Sequence, residues 1–139
     1  MSEELKLSNQ LCFPVYVLSK ETINRYRPFL DELDLTYPQY LVLMVLWEQD
    51  NQTVSALGEK LYLDSGTLTP LLKRLEAKEM VMRTRQKNDE RVVQISLTPS
   101  GLALKEKAIC IPLQMMESLD LNKQEIEQFK QLITKILSK

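Results

Sequence analysis

The sequence predicts a mainly helical chain with one small β-hairpin: a winged helix-turn-helix with dimerisation helices at both ends. Three observations carry this. A short capped helix is followed by the stretch Asp64 to Lys78, which opens as a turn and runs into a second helix with Leu68, Leu71, Leu72 and Leu75 on one side. Their i, i+3, i+4, i+7 spacing buries one stripe and leaves the other side polar. The period then changes from helix to strand, with two β-branched runs at 81–85 and 92–97. Finally, residues of about 5–33 and 99–139 present more apolar helix surface than a small winged domain of about 36–98 can cover.

Composition narrows the classes. A chain of 139 residues is one domain's worth and buries about two-thirds of its unfolded surface. No apolar run reaches the roughly 18 residues that cross a membrane. The start Met-Ser-Glu-Glu-Leu-Lys is not a signal peptide, so a cytoplasmic location and no membrane partner are expected. With no His and two Cys, the chain cannot supply a Cys/His zinc site or histidine acid–base chemistry, and neither metal nor cofactor is expected. Two cysteines in such a chain fit thiols better than a structural bridge. A net charge of −1 argues against nucleic-acid binding by the whole surface, so any DNA contact must come from a local patch.

The elements follow in order. Ser8 is the expected cap of a first helix that carries Leu11, Cys12, Val15, Tyr16, Ile23 and Tyr26, with Pro14 near its start. Cys12 sits at the positive end of that helix, where the partial charge favours a thiolate. Thr36-Tyr37-Pro38-Gln39 is a capping box with Pro in the first turn, and Tyr40 to Trp47 is the apolar central helix. Asn51-Gln52 is expected to be a turn, and Thr53 to cap a short helix with Val54, Leu57 and Leu61 inward. Leu63 to Gly66 should separate it from the second helix, whose first turn must hold Pro70.

On that second helix Ser65, Thr67, Thr69, Lys73 and Arg74 can reach phosphates or base edges in a major groove. In the hairpin Arg83, Arg85, Lys87 and Arg91 add cations around a polar tip, 86–91, that includes Asp89. From Lys73 to Arg91 there are seven basic residues against four acidic ones, Lys78 among the basic. The positive charge gathers where DNA would lie. Thr98-Pro99 caps a helix running towards Met116, kinked at Pro112. Asn122-x-x-Glu125 is a second capping box, leading into an apolar stripe of Ile126, Phe129, Leu132, Ile133, Ile136 and Leu137.

Taken together, these residues resemble the multiple antibiotic resistance regulator (MarR) family, most closely its organic-hydroperoxide-sensing branch (OhrR). The marks are Asn9-Gln10-Leu11-Cys12-Phe13-Pro14-Val15-Tyr16, Leu35-Thr36-Tyr37-Pro38-Gln39-Tyr40, Leu61 to Arg74, and Asp89-Glu90-Arg91. The resemblance spans nearly the whole chain. It implies a homodimer whose recognition helices enter successive major grooves of a pseudo-palindromic double-stranded operator. It also implies wings in the flanking minor grooves, led by Arg91 with Asp89 bracing the loop. Cys12 matches the peroxide-reactive cysteine and Tyr16, Tyr26 and Tyr37 the aromatic shell around it, with the Tyr26 and Tyr37 hydroxyls holding the thiolate.

A thiolate that attacks a peroxide oxygen becomes a sulfenic acid and then forms a disulfide, without metal or His. Cys110 departs from the pattern. The second redox cysteine of one class in this branch falls about two helical turns further on, so Cys110 reads as a plain buried residue or as a second redox cysteine. In the first case a low-molecular-weight thiol would complete the switch. The expected function is thus a repressor that senses organic hydroperoxides through Cys12 and then releases DNA. Two alternatives stay open. One is a regulator of the same scaffold that answers a small aromatic ligand or another redox signal. The other is a thiol peroxidase or a protein-interaction module.

Overall fold

The computed structural model describes residues 2–138. The chain divides into one compact unit that ends at Ala108 and a second that begins at Ile109.

The first unit opens with two 3-10 turns, Glu3–Leu5 and Leu7–Asn9, and continues as α1 (Cys12–Asp31), α2 (Tyr37–Glu48), β1 (Gln52–Thr53), α3 (Val54–Leu61), α4 (Ser65–Ala77), β2 (Val81–Arg85), β3 (Val93–Leu97) and α5 (Pro99–Ala108). α2 is the hub. It is apolar nearly all round, so Val42, Leu43 and Leu46 can all be buried at once. Leu57 of α3, Leu68, Leu72 and Leu75 of α4, Val81 of β2 and Ile95 of β3 complete the core. Two contacts pin α5 beneath it. The Trp47 indole donates to the Gly101 carbonyl at 2.9 Å. Gly101 itself admits no side chain, because a Cβ there would lie 2.1 Å from the Met80 carbonyl oxygen.

The local start signals hold at most helices. Thr36 and Gln39 form the expected reciprocal cap of α2, Thr53 accepts from the Ala56 N–H, and the Thr98 hydroxyl accepts from the Gly101 N–H. Asp64 caps α4 by accepting from the Thr67 N–H at 2.7 Å.

Several expectations are corrected. Ser8 lies in a 3-10 turn rather than capping α1, whose N-cap is Leu11 without a side-chain bond. Asn51 is a left-handed turn residue, but Gln52 belongs to a strand. β1 pairs with β3 (Gln52 opposite Ile95) and makes the hairpin a three-stranded antiparallel sheet of order β1-β3-β2. A two-residue strand has no alternation to read; only its distant partner defines it. β3 begins at Val93, leaving Val92 in the hairpin loop. Ser65 and Gly66 are already helical, so the turn between α3 and α4 is only Tyr62 to Asp64. Pro70 therefore lies in the second turn of α4, where it forgoes one intrahelical hydrogen bond.

The second unit comprises α6 (Ile111–Ser118) and α7 (Lys123–Leu137). The helix expected to run from Thr98 to Met116 with a kink is in fact two helices, α5 and α6. Pro112 opens α6 in its first turn instead of bending a continuous rod. Asn122 and Glu125 form the expected capping box of α7. Along α7 Phe129, Leu132, Ile133, Ile136 and Leu137 are all exposed.

Candidate DNA-binding face and redox centre

The helix-turn-helix and the hairpin enclose one groove. α3 and α4 pack through Leu57, Leu68 and Leu72, which leaves the opposite line of α4, Ser65, Thr69 and Lys73, facing outward at i, i+4, i+8. Those three residues line the groove together with Arg83, Arg85 and Arg91 from the other side. Six of the ten residues expected to meet DNA thus share one concavity of polar hydroxyls and cations.

The other four are placed differently. Thr67 and Arg74 are exposed on α4 outside the groove lining, and Lys87 is exposed in the hairpin loop. Asp89 works inside the loop. It accepts from the Arg91 N–H at 3.0 Å and from the Arg91 guanidinium at 3.2 and 3.4 Å. The Arg91 guanidinium and N–H hold the Asp89 carboxyl below the usual carboxylate range. Arg85 donates to the Glu90 carbonyl at 2.7 Å across the base of the same loop.

Glu76, which the sequence did not mark as a site residue, also shapes this face. Glu76 accepts from the Arg83 N–H at 3.3 Å, and its other oxygen lies 3.4 Å from Arg83 Nε, an ion-pair distance without hydrogen-bond geometry. This joins the hairpin to α4. Lys78, counted with the basic patch, turns inward instead: its ammonium donates to the Asp34 carbonyl and to Gln39 Oε1 at 3.1 Å. Half-buried and engaged there, it adds nothing to the DNA-facing charge. Its run of sequence, Arg-Leu-Glu-Ala-Lys, carries no sign of that inward partner.

The residues expected at the redox centre fall in two places. Cys12 and Tyr16, one turn apart on α1, share a face and are both exposed, Tyr16 at 59%. The Lys20 ammonium sits 4.7 Å from the Tyr16 ring centre, a cation–π contact. Tyr26 lies fourteen residues beyond Cys12, about 21 Å along the helix axis. It joins Tyr37 and Tyr40 of α2 in an aromatic cluster with ring centres 4.7 to 6.2 Å apart, and Tyr40 continues it to Trp47 at 6.4 Å. Burial raises all three phenols above their ordinary value. Neighbouring rings add to this for Tyr26 and Tyr40, and Tyr40 is pushed up to about 12. All three therefore stay protonated as hydrogen-bond donors at neutral pH. One chain does not bring Cys12 to Tyr26 and Tyr37. Cys110, in the second unit, is exposed at the N-cap of α6 rather than buried, with its thiol free.

With this geometry in view, known proteins supply the context. The family described as Transcriptional regulator SarA/Rot matches residues 19–108. The Bacillus subtilis organic hydroperoxide resistance transcriptional regulator is 53% identical over 130 residues, 94% of this chain and 86% of its own length. The Staphylococcus aureus HTH-type transcriptional regulator SarZ is 44% identical over 137 residues, 99% of this chain and 93% of its own. Among solved structures, reduced AbfR bound to DNA, a Staphylococcus epidermidis protein, superposes with a TM-score of 0.80 at 38% identity. That match covers 98% of this chain and 94% of that one. Among the described residues no helix is long and apolar enough to cross a membrane.

Proposed function

The chain belongs to the SarA/Rot family of MarR-like transcriptional regulators, and from that premise we propose a dimeric repressor that senses organic hydroperoxides through Cys12 and then releases its operator. The observation that carries the DNA half is the groove in which Ser65, Thr69 and Lys73 face Arg83, Arg85 and Arg91. α4 lies in the major groove and the hairpin, braced by the Asp89–Arg91 pair, reaches the adjoining minor groove. Thr67, Arg74 and Lys87 add contacts at the margins.

Dimerisation follows from what one chain leaves undone. Phe13, Val15, Val17 and Leu18 of α1 are exposed, as is the apolar line of α7. Each face suits a second copy, as the terminal helices of the sequence imply. The aromatic cluster and Cys12, some 21 Å apart on one α1, meet only if Tyr26 and Tyr37 of a second copy approach Cys12 of the first.

In that centre the two phenols donate hydrogen bonds to the Cys12 thiolate while their rings keep its surroundings apolar, which favours organic hydroperoxides over hydrogen peroxide. The thiolate attacks the terminal peroxide oxygen. An S–O bond forms, the O–O bond breaks, and the alkoxide leaves and takes up a proton as the alcohol. The sulfur is oxidised to a sulfenic acid, which condenses with a cellular thiol to a disulfide and releases water. The added group displaces the phenols and shifts the spacing of the two α4 helices. The peroxide is consumed once per switching event, so the protein acts as a regulator and not as a peroxidase.

A gel shift on the DNA upstream of its own gene tests both halves. Reduced protein should bind and cumene hydroperoxide should release it; Cys12→Ser should bind and stay bound. Release of the Cys12→Ser variant by peroxide would defeat the sensing half. Failure of the reduced wild type to bind at low salt would defeat the DNA half.

A further inference from the structure

Tyr62 occupies a position that neither backbone preference nor burial explains. It ends α3 with φ 57° and ψ 39°, in the left-handed region, its N–H bonded to the Gly58 carbonyl. Helices that end this way usually place Gly or Asn there, because a Cβ crowds the backbone. A large aromatic side chain accepts that strain only if something else repays it. Burial does not: Tyr62 is 79% exposed, more than any other large apolar or aromatic side chain among the described residues. Its hydroxyl makes no hydrogen bond among them either.

Its location suggests what does. Tyr62 lines the same groove as Ser65, Thr69, Lys73 and Arg85, and stands two residues before the Asp64 cap of α4. The chain between the two helices is only Tyr62 to Asp64, so its placement is set by the same packing that sets α4. Gly58 fixes this turn, since a Cβ there would lie 2.7 Å from the Leu63 carbonyl oxygen.

We propose that Tyr62 is a DNA-backbone anchor. Its ring lies against a deoxyribose and its hydroxyl donates to a phosphate oxygen beside the base pairs that α4 reads. Tyr is among the side chains that position proteins on DNA by such phosphate contacts. A rigid ring with two torsions loses little freedom on binding, so it holds the depth of α4 better than a lysine would. This rests on the DNA-binding reading above and adds a residue that charge patterning could not reveal.

Tyr62→Gly and Tyr62→Phe test it, with Kd measured by fluorescence anisotropy on operator and on unrelated duplex, across a salt series, and Tm measured in parallel. Tyr62→Gly should leave Tm unchanged or higher, because Gly suits the left-handed position, yet weaken operator binding about tenfold. Tyr62→Phe should weaken it about three- to fivefold through the lost hydroxyl. Both losses should appear on unrelated DNA as well, and the salt slope should not change, since a neutral hydroxyl displaces no counterion. Wild-type affinity in both variants overturns the proposal. So does a loss confined to operator, which would mean base reading, and so does full affinity in Tyr62→Phe, which would remove the hydroxyl's role. A wild type that binds no DNA overturns the underlying reading as well, and that outcome is distinct from a binding wild type with unaffected variants.

Discussion

In α4 every leucine of the apolar stripe is covered by α2, α3 and the sheet; in the first two turns of α1 every apolar side chain is left exposed. Both segments are helical and both carry runs of large apolar residues. α4 completes its burial within one chain, so its outer line of Ser65, Thr69 and Lys73 is held on a rigid base. α1 completes its burial only at Leu30, near its far end. The difference separates two jobs. The part that reads a fixed partner is finished locally, while the part that carries Cys12 is left for a second copy to finish. A switch built from the second part can change the distance between two copies of the first without unfolding either.

The comparison is broken most severely inside α4. Leu72→Ala removes a fully buried side chain from between α3 and α4 and should cost about 2–5 kcal/mol in urea unfolding. A similar loss from a substitution in the first turns of α1 would contradict it. Next, Gly58→Ala forces a Cβ against the Leu63 carbonyl and should cost about 1–3 kcal/mol, lowering DNA affinity through the displaced turn.

Val15→Glu should do the reverse. Val15 is exposed in one chain, so thermal stability of the monomer should change by no more than about 0.5 kcal/mol. Sedimentation should nevertheless show the dimer weakened at least about tenfold, the scale of a charge left against an apolar face. Arg91→Ala should leave both regions folded, weaken operator binding about tenfold, and lower the salt slope by about one.

The mildest test is alkaline pH. Tyr40 ionises near 10 in the unfolded chain and at about 12 in the fold, where burial penalises the phenolate. Between those values the unfolded chain has lost the proton that the fold keeps, so stability should be intact below pH 10 and fall as pH rises towards 12. Tyrosinate absorbance should follow the same window, and Tyr40→Phe should flatten it.

Much of this architecture was legible because its signals are local. Thr36 with Gln39, Thr53 with Ala56, and Asn122 with Glu125 cap their helices through neighbours three residues away, so sequence spacing contains both partners. The leucine stripe of α4 and the polar line opposite it follow from helix period alone. The hairpin followed from the change of period, and six of the ten residues expected to meet DNA line one groove.

What escaped depends on partners far along the chain. β1 is a strand only because Gln52 meets Ile95. Lys78 leaves the basic face because Asp34, in the turn between α1 and α2, and Gln39 of α2 approach it. The family resemblance groups Cys12 with Tyr26, yet within one chain the length of α1 separates them.

The amino-acid order by itself determined the element types, the inward leucines and the winged class, because period and capping act over a few residues. Only the packed chain decided which cations share the groove, that Tyr62 stands exposed within it, and that Cys12 stays apart from the Tyr26–Tyr37 pair of its own copy. Those outcomes are set by contacts between elements that sequence distance does not encode.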